Sequence, residues 1–578
     1  MCRLSPLVRT LSLAALASLC QIAPGAAATA PTVGDALDAI SAFAPRAMAE
    51  QGTPGLSVAI TDRNGTLRVI ALGYADRESQ APVTPQTRFA IGSITKSMTA
   101  LALLQLVDAG RVDLDAPVQR YLPWFAIRAM GPILVHELLS HTAGIPDDFA
   151  AEPGYVYDIW TLRNAQTLFP PATAWSYSND GFATAGAILA KVDGRTWPDS
   201  LQSRVLTPIG MTASSPVFTP QNMGNAAVGY QFRDNDRPPP RSPALVAAPP
   251  LDFVDPAGSV LSTPEDMARY MRFYLNSGKT ADGVRLLSPA TFAAMTRADR
   301  YKNGKPAGSA GAVLDEAPAF YRQYGYGVSV FDENGDHLVG HTGGISGYTA
   351  CMQMNLTRGF GVIAFANLVE APLHPCAIVL YAMRALRAQS LGQPLPAPPS
   401  PPDPGRVARA AEYQGVYSGP SGSSLRVTNE NDRLYLTDGS RRGQLYSRAP
   451  DVFWADDPRF AIYLLAFGRD AAGKVVEMNY GPQWYANERY RGPRTFTHPA
   501  KWDALVGRYE NTFFGSPDIS RVVIVKSRLT FDGLDTLRPL PNGNFALGSS
   551  VVRFDAYAGG RPQRVTIDAA SLYRVELP

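Results

Sequence analysis

Ser93 and Lys96, in the run Phe89-Ala90-Ile91-Gly92-Ser93-Ile94-Thr95-Lys96, are the sharpest chemical signal in this sequence. Three residues apart at the start of a helix, they share one face, one turn from each other. A serine hydroxyl is a poor nucleophile at neutral pH and needs a base within hydrogen-bond reach. A lysine amine can take or relay that proton once neighbouring positive charge and desolvation depress its pKa. The helix N-terminus adds partial positive charge where an oxyanion would form. Alone, the same spacing also describes a capping serine and a solvated lysine on an exposed helix, so two further stretches matter. Trp175-Ser176-Tyr177-Ser178-Asn179 offers a Tyr-x-Asn triplet in a loop just before a helix, where alternation turns the phenol of Tyr177 and the amide of Asn179 toward one cleft. Gly340-His341-Thr342-Gly343-Gly344 reads as part of an edge strand whose small residues let a substrate backbone approach closely.

The elements that must hold these residues follow from periodicity and turn signals. Residues 33–50 read as an amphipathic helix, and 56–61 and 67–74 as a hairpin turning at Asn64-Gly65. Residues 93–109 form a helix ending at Gly110, with Met98, Leu101, Leu104 and Val107 at helical spacing. A further helix spans 265–276 after Ser262-Thr263-Pro264. Residues 326–331, 337–341, 349–355 and 361–366 read as consecutive antiparallel strands, closed by a helix over 378–389. The expectation is a mixed α/β domain over 31–392, an antiparallel sheet flanked by helices with a helical subdomain.

Seven prolines in PLPAPPSPPDP mark a stiff spacer over 393–405. Beyond it come short strands and turns in a pattern that repeats once. Tyr413-Gln414-Gly415-Val416-Tyr417 parallels Leu505-Val506-Gly507-Arg508-Tyr509, and the turn Asp438-Gly439 parallels Asp532-Gly533. The reading is two small antiparallel β-barrel-like domains, 406–500 and 501–578, with a single larger β-domain of internal symmetry as the alternative. Phe453, Trp454, Trp484 and Tyr485 suit either a barrel core or a ligand surface.

Composition narrows the function. With 578 residues, 53 basic against 50 acidic side chains and a net charge of +3, the chain has no electrostatic footprint for nucleic acid. A hydrophobic fraction of 46% excludes disorder. Arg3 and Arg9, an apolar stretch over 11–22, and Ala26-Ala27-Ala28 give residues 1–28 the pattern of a secretory signal peptide, too short in its apolar part to span a membrane. Cys351 and Cys376 then remain, either paired in an oxidising compartment or buried as thiols. His136-Glu137-Leu138-Leu139-Ser140-His141 imitates a zinc-protease helix, but its histidines are five apart rather than four, so no metal is expected there. A Gly-x-Ser-x-Gly elbow, a phosphate loop and a dinucleotide fingerprint are absent from the sequence. No cofactor is called for.

The three boxes together resemble those of the β-lactamase and penicillin-binding-protein superfamily of serine hydrolases, namely Ser-x-x-Lys, Tyr-x-Asn and His-x-Gly. The stretches 138–146 (LLSHTAGIP) and 256–263 (PAGSVLST) match its style, and the resemblance covers about 35–390. It is nearest the class C β-lactamase, family VIII esterase and D-aminopeptidase branch, and the tandem β-domains look like the D-aminopeptidase arrangement. The resemblance implies Ser93 as acylated nucleophile, with Lys96 and Tyr177 sharing proton transfer. It makes Asn179, His341 and Thr342 substrate-binding, and the backbone N–H groups of Ser93 and Gly344 the oxyanion hole. His341 stands where β-lactamases carry lysine. A neutral imidazole cannot hold a substrate carboxylate as an ammonium does, which disfavours efficient β-lactamase activity. The expected protein is an exported amidase or peptidase for small peptides. A carboxylesterase or weak β-lactamase is the alternative, and a cell-wall binder with a vestigial site is the reading from another class.

Overall fold

The structure is a computed structural model that describes residues 30–146, 154–234, 237–238, 244–249, 254–308, 321–369, 375–400, 403–513, 516–548, 550–567 and 570–575. The secretory pattern at 1–28 falls outside the described residues.

Thr32 opens helix α1 (Val33–Gln51) with a reciprocal cap: its hydroxyl accepts from Asp35 N, and Asp35 accepts from Thr32 N at 2.8 Å. Gly52, left-handed at φ 64°, closes the helix. Strands β1 (Gly55–Asp62), β2 (Thr66–Asp76) and β3 (Ala81–Pro82) follow. Next come helices α2 (Thr95–Asp108), α3 (Asn179–Asp193) and α4 (Pro264–Leu275). Strands β4 (Ser329–Glu333), β5 (Asp336–Ile345), β6 (Tyr348–Asn355) and β7 (Phe360–Ala366) complete the sheet, and helix α5 (Cys376–Ser390) closes the unit. The seven strands pair antiparallel in the order β3-β2-β1-β7-β6-β5-β4. The return of the chain's last strands to β1 sets α1 and α5 side by side on one face.

Both faces of the sheet are covered. Val58, Ile60, Val362 and Ala364 pack against α1 and α5, while Ala59, Ile363 and Phe365 turn into a second core with α2, α3 and α4. Burial on both sides is why these strands read as almost unbroken apolar runs. Each fully buried Ile or Phe contributes about 1.5–3 kcal/mol by its removal from water. Cys351 of β6 and Cys376, first residue of α5, form a disulfide with Cα atoms 5.2 Å apart, tying the helix to the sheet.

One expected boundary moves for a physical reason. The strand read over 326–331 begins only at Ser329, because Gly327 at φ 75° bends the chain against α2. A side chain at Gly327 would meet Lys96 O at 2.8 Å. In the first β-unit the strand Leu465–Arg469 follows a 3-10 turn over Pro458–Phe460 that starts on a proline.

After the prolines, eight strands from Gly415–Ser418 to Gln483–Ala486 close into an antiparallel barrel. Nine more, from Gly507–Phe513 to Ala570–Arg574, make a second antiparallel sheet with its own core. The repeat survives at atomic detail: Tyr417 Oη donates to Tyr413 O at 2.7 Å, and Tyr509 Oη donates to Leu505 O at 2.8 Å. Phe453, Trp454, Trp484 and Tyr485 are all buried. Among the described residues, no helix is long and apolar enough to cross a membrane.

Candidate active site

From Phe89 to Leu104 every residue is buried except Ser93. The serine sits in a 3-10 turn (Gly92–Ile94) between a two-residue strand (Phe89–Ala90) and α2. The expected helix therefore begins two residues after Ser93, and the turn lifts the hydroxyl to the surface while the flanking side chains enter the core. Gly92 takes φ 50°, and a Cβ there would stand 2.7 Å from Gly344 N. A Cβ at Gly343 would meet Ile91 O at 1.9 Å and Ser93 N at 3.3 Å. Two glycines without side chains thus bring the backbone N–H groups of Ser93 and Gly344 into one corner.

Lys96 reaches this corner from inside the protein with none of its surface exposed. Its Nζ donates to Ser93 Oγ at 3.1 Å, to Asn179 Oδ1 at 2.6 Å and to Ala257 O at 2.9 Å. The amide and the carbonyl can only accept at these atoms, whereas a hydroxyl both donates and accepts. Two N–H groups are therefore committed to acceptors, and toward Ser93 an N–H or a lone pair fits equally. The loop presenting Ala257 O is braced from both ends. Thr99 Oγ1 donates to Pro256 O at 2.7 Å, Val260 N donates to Thr95 Oγ1 at 3.2 Å, and Ala257 N donates to Asp255 Oδ1 at 2.5 Å.

Asn179 is the first residue of α3, and Ser178 is its N-cap in extended conformation, with Oγ accepting from Gly181 N at 3.0 Å. Ser178 is buried while Tyr177 and Asn179 on either side of it remain half-buried, which is the alternation the triplet suggested. The Tyr177 ring centre lies 4.8 Å from Lys96 Nζ. Ser93, Lys96, Tyr177 and Asn179 thus meet in one crevice.

Strand β5 is interior for half its length: β4 pairs with it only as far as Gly340, and from His341 onward its outer side is open toward the serine turn. The edge predicted for this stretch is thus real for 341–345. Gly344 is exposed, and Thr342 is half-buried with its hydroxyl 2.6 Å from Tyr321 Oη. His341 has no exposed surface, so its imidazole does not reach the cleft. Its Nδ1 lies 2.5 Å from Thr342 O, which can only accept, so the ring proton sits on Nδ1 and Nε2 accepts from Tyr324 Oη at 2.8 Å. Burial, with the Lys96 charge adding to it against the Thr342 bond, brings the His341 pKa to about 3. From inside the protein the ring is held by Tyr324.

The two histidines of the zinc-like run part company. His136 Nδ1 lies 2.8 Å from Asp299 Oδ2, while His141 lies among the rings of Tyr177, Phe182 and Tyr324. Sequence reading assigned no role to Ala257, Tyr321, Tyr324 or His141. Ala257 and His141 lie within stretches already singled out, but the first acts through a backbone oxygen that no residue type announces.

The beta-lactamase family profile matches residues 40–378, more than half of the chain, and the protein belongs to that family. Penicillin-binding protein 4 of Amycolatopsis lactamdurans is 29% identical over 389 residues, which is 65% of this chain and 95% of that one. Penicillin-binding protein 4* of Bacillus subtilis (strain 168) is 25% identical over 435 residues, covering 70% and 88% of the two chains. Among solved structures, the octameric penicillin-binding protein homologue from Pyrococcus abyssi aligns with a TM-score of 0.54 and 25% identity, over 78% of this chain and 99% of that one. Fold and family are those of penicillin-binding-protein-like serine hydrolases.

Proposed function

We propose that this protein is an exported serine hydrolase that opens amide bonds of small peptides through an acyl-enzyme on Ser93. The observation that carries the reading is the Lys96 amine, fixed by Asn179 and Ala257 O and 3.1 Å from the one hydroxyl of its segment that meets solvent. Ser93 Oγ attacks the carbonyl carbon as its proton passes to Lys96 Nζ, with the Tyr177 phenol sharing the transfer. The oxyanion forms against the N–H groups of Ser93 and Gly344, an interaction worth roughly 3–4 kcal/mol per donor in such sites. Collapse breaks the C–N bond and the leaving amine takes the proton. Water then adds to the acyl ester with the same groups as base, releasing the acid and restoring Ser93. Asn179 holds Lys96 through its oxygen at the substrate side of the crevice, and Thr342 lines the opposite rim.

The neutral, enclosed His341 supports neutral amides, and esters by the same route, over substrates that need a cationic partner for a carboxylate. The leader pattern at 1–28 and the Cys351–Cys376 disulfide both support export to an oxidising space. No nucleic acid and no metal enter the reading. A fluorophosphonate and a fluorescent penicillin, the latter chosen for the names of the relatives, are the direct probes. Wild type is expected to be labelled and Ser93→Ala to be blank. Equal labelling of both proteins refutes the assignment, and a panel of D- and L-amino-acid amides, peptides and p-nitrophenyl esters then sorts amidase from esterase.

A further inference from the structure

Two backbone N–H groups bracket Tyr177 in the chain, those of Ser176 and Ser178, and both end on one residue. Ser176 N donates to His141 O at 3.0 Å, and Ser178 N donates to His141 Nδ1 at 3.0 Å. The imidazole also lies over the phenol ring, with centroids 4.3 Å apart and planes at 34°. Trp175, Tyr321 and His341 stand at 6.3, 6.0 and 6.4 Å from the same ring.

The histidine is ill-suited to its place on packing grounds alone. It holds φ 60°, a left-handed backbone that disfavours any residue with a Cβ. Because Nδ1 accepts from Ser178, the proton of the neutral ring is on Nε2, and that buried atom has no hydrogen-bond partner among the described residues. It is walled by Tyr324 at 4.8 Å, Phe182 at 5.1 Å and Trp175 at 5.6 Å between ring centres. A hydrocarbon of the same shape would fill the space without an unpaired polar group. Burial, then the neighbouring Lys96 and His341, hold the pKa well below the ordinary imidazole value, which keeps Nδ1 an acceptor.

We propose that His141 is a positioning residue: it clamps the backbone on both sides of Tyr177 and stacks on the phenol, fixing the ring against Lys96 and Ser93. The inference rests on the reading of Tyr177 as a proton-transfer group. It acts on Tyr177 alone and touches no substrate.

The test is a double-mutant cycle on the full chain with a p-nitrophenyl ester, reading kcat and KM separately. H141F keeps a ring and loses the Nδ1 acceptor. H141N keeps an acceptor at the place of Nδ1, tolerates the left-handed backbone and loses the ring. H141F is expected to lower kcat about 10- to 100-fold with little change in KM, as loss of orientation does, and H141N to recover all but about fivefold. In a Y177F background both losses are expected to shrink to less than about twofold, because the group being positioned is gone. Equal fold losses in both backgrounds overturn the proposal, as does H141N being the worse of the two. Should H141F not fold, the H141N arm decides by the same comparison. A Y177F protein with wild-type kcat fails differently: it removes the role of Tyr177 itself, and this inference with it.

Discussion

Substituting Gly343 by alanine puts one methyl group where the site has no room for it. The new Cβ would stand 1.9 Å from Ile91 O, against an ordinary carbon–oxygen contact of about 3.3 Å. One backbone must retreat by roughly 1.4 Å, the difference between those two distances, and neither is free to do so. Ile91 N is bonded to Val260 O at 3.0 Å, with Ala90 paired to Leu261 just before it. Gly343 is paired to Ala350 of β6. Overpacking of this kind costs about 1–3 kcal/mol of stability. The larger consequence is geometric, because the opening occurs between the two N–H groups that would hold the oxyanion. A misplacement near 1 Å is expected to lower kcat about 100-fold. Gly344→Ala is the internal control for stability, since a Cβ there meets nothing within 4 Å. The measurement is kcat on an ester or amide together with the thermal midpoint of both variants. The expected pattern is a slow, somewhat destabilised Gly343→Ala and a Gly344→Ala with wild-type melting. A Gly343→Ala enzyme at wild-type kcat would show that the close approach of the strand to the serine turn does not govern the chemistry.

Reducing or removing the Cys351–Cys376 bond, which closes a loop of 25 residues, is expected to cost about 3.5 kcal/mol by loop-closure entropy. Denaturant unfolding of the double serine variant checks this, and equal stability with and without the bond contradicts it. Acid behaviour follows from the histidines. In the unfolded chain His141 and His341 titrate near 6.5, while the fold holds the first well below that and the second at about 3. Their contribution is fully present above pH 6.5 and is lost as pH falls, at about 1.4 kcal/mol per pH unit for each. His136 works in the opposite sense. Burial lowers its pKa, but Asp299, Glu137 and Asp115 outweigh that and raise it, so its stabilisation is present below 6.5 and lost as pH rises. Denaturation curves between pH 6.5 and 5 should therefore lose one proton's worth of slope in His341→Gln. An unchanged slope would mean that this ring is not kept neutral by the fold.

The meeting of Ser93, Lys96 and the Tyr-x-Asn triplet was legible because each is carried by side-chain type at fixed local spacing. Ser93 and Lys96 are one helical turn apart, and Tyr177 and Asn179 are two residues apart in extended chain, so neighbours in sequence remain neighbours in space. The sheet was legible for a similar reason: strands buried on both faces leave apolar runs bounded by Asn64-Gly65 and other turn residues. The inward orientation of His341 was not legible, because sequence shows a polar residue on a strand but not which way it faces. In β5 the alternation that exposes Thr342 and Gly344 necessarily buries His341, and only the register with β6 fixes that choice.

What escaped altogether is the part of the site made of backbone. Ala257 O completes the grip on Lys96, yet an alanine carries no chemical signature, and its oxygen is aimed by Asp255 two residues before it and by Thr95 and Thr99 from elsewhere in the chain. The same holds for His141, whose carbonyl does as much as its ring and only because the residue is left-handed. By contrast, Tyr417 and Tyr509 betray the tandem β-units, since a phenol returning to the carbonyl four residues upstream requires the tyrosine itself at a fixed offset. Functions delivered by side chains at short range can be read from sequence. Those delivered by peptide groups across long loops emerge when the fold brings the loops together, so the groups that hold Lys96 and Tyr177 in place are the last to be found.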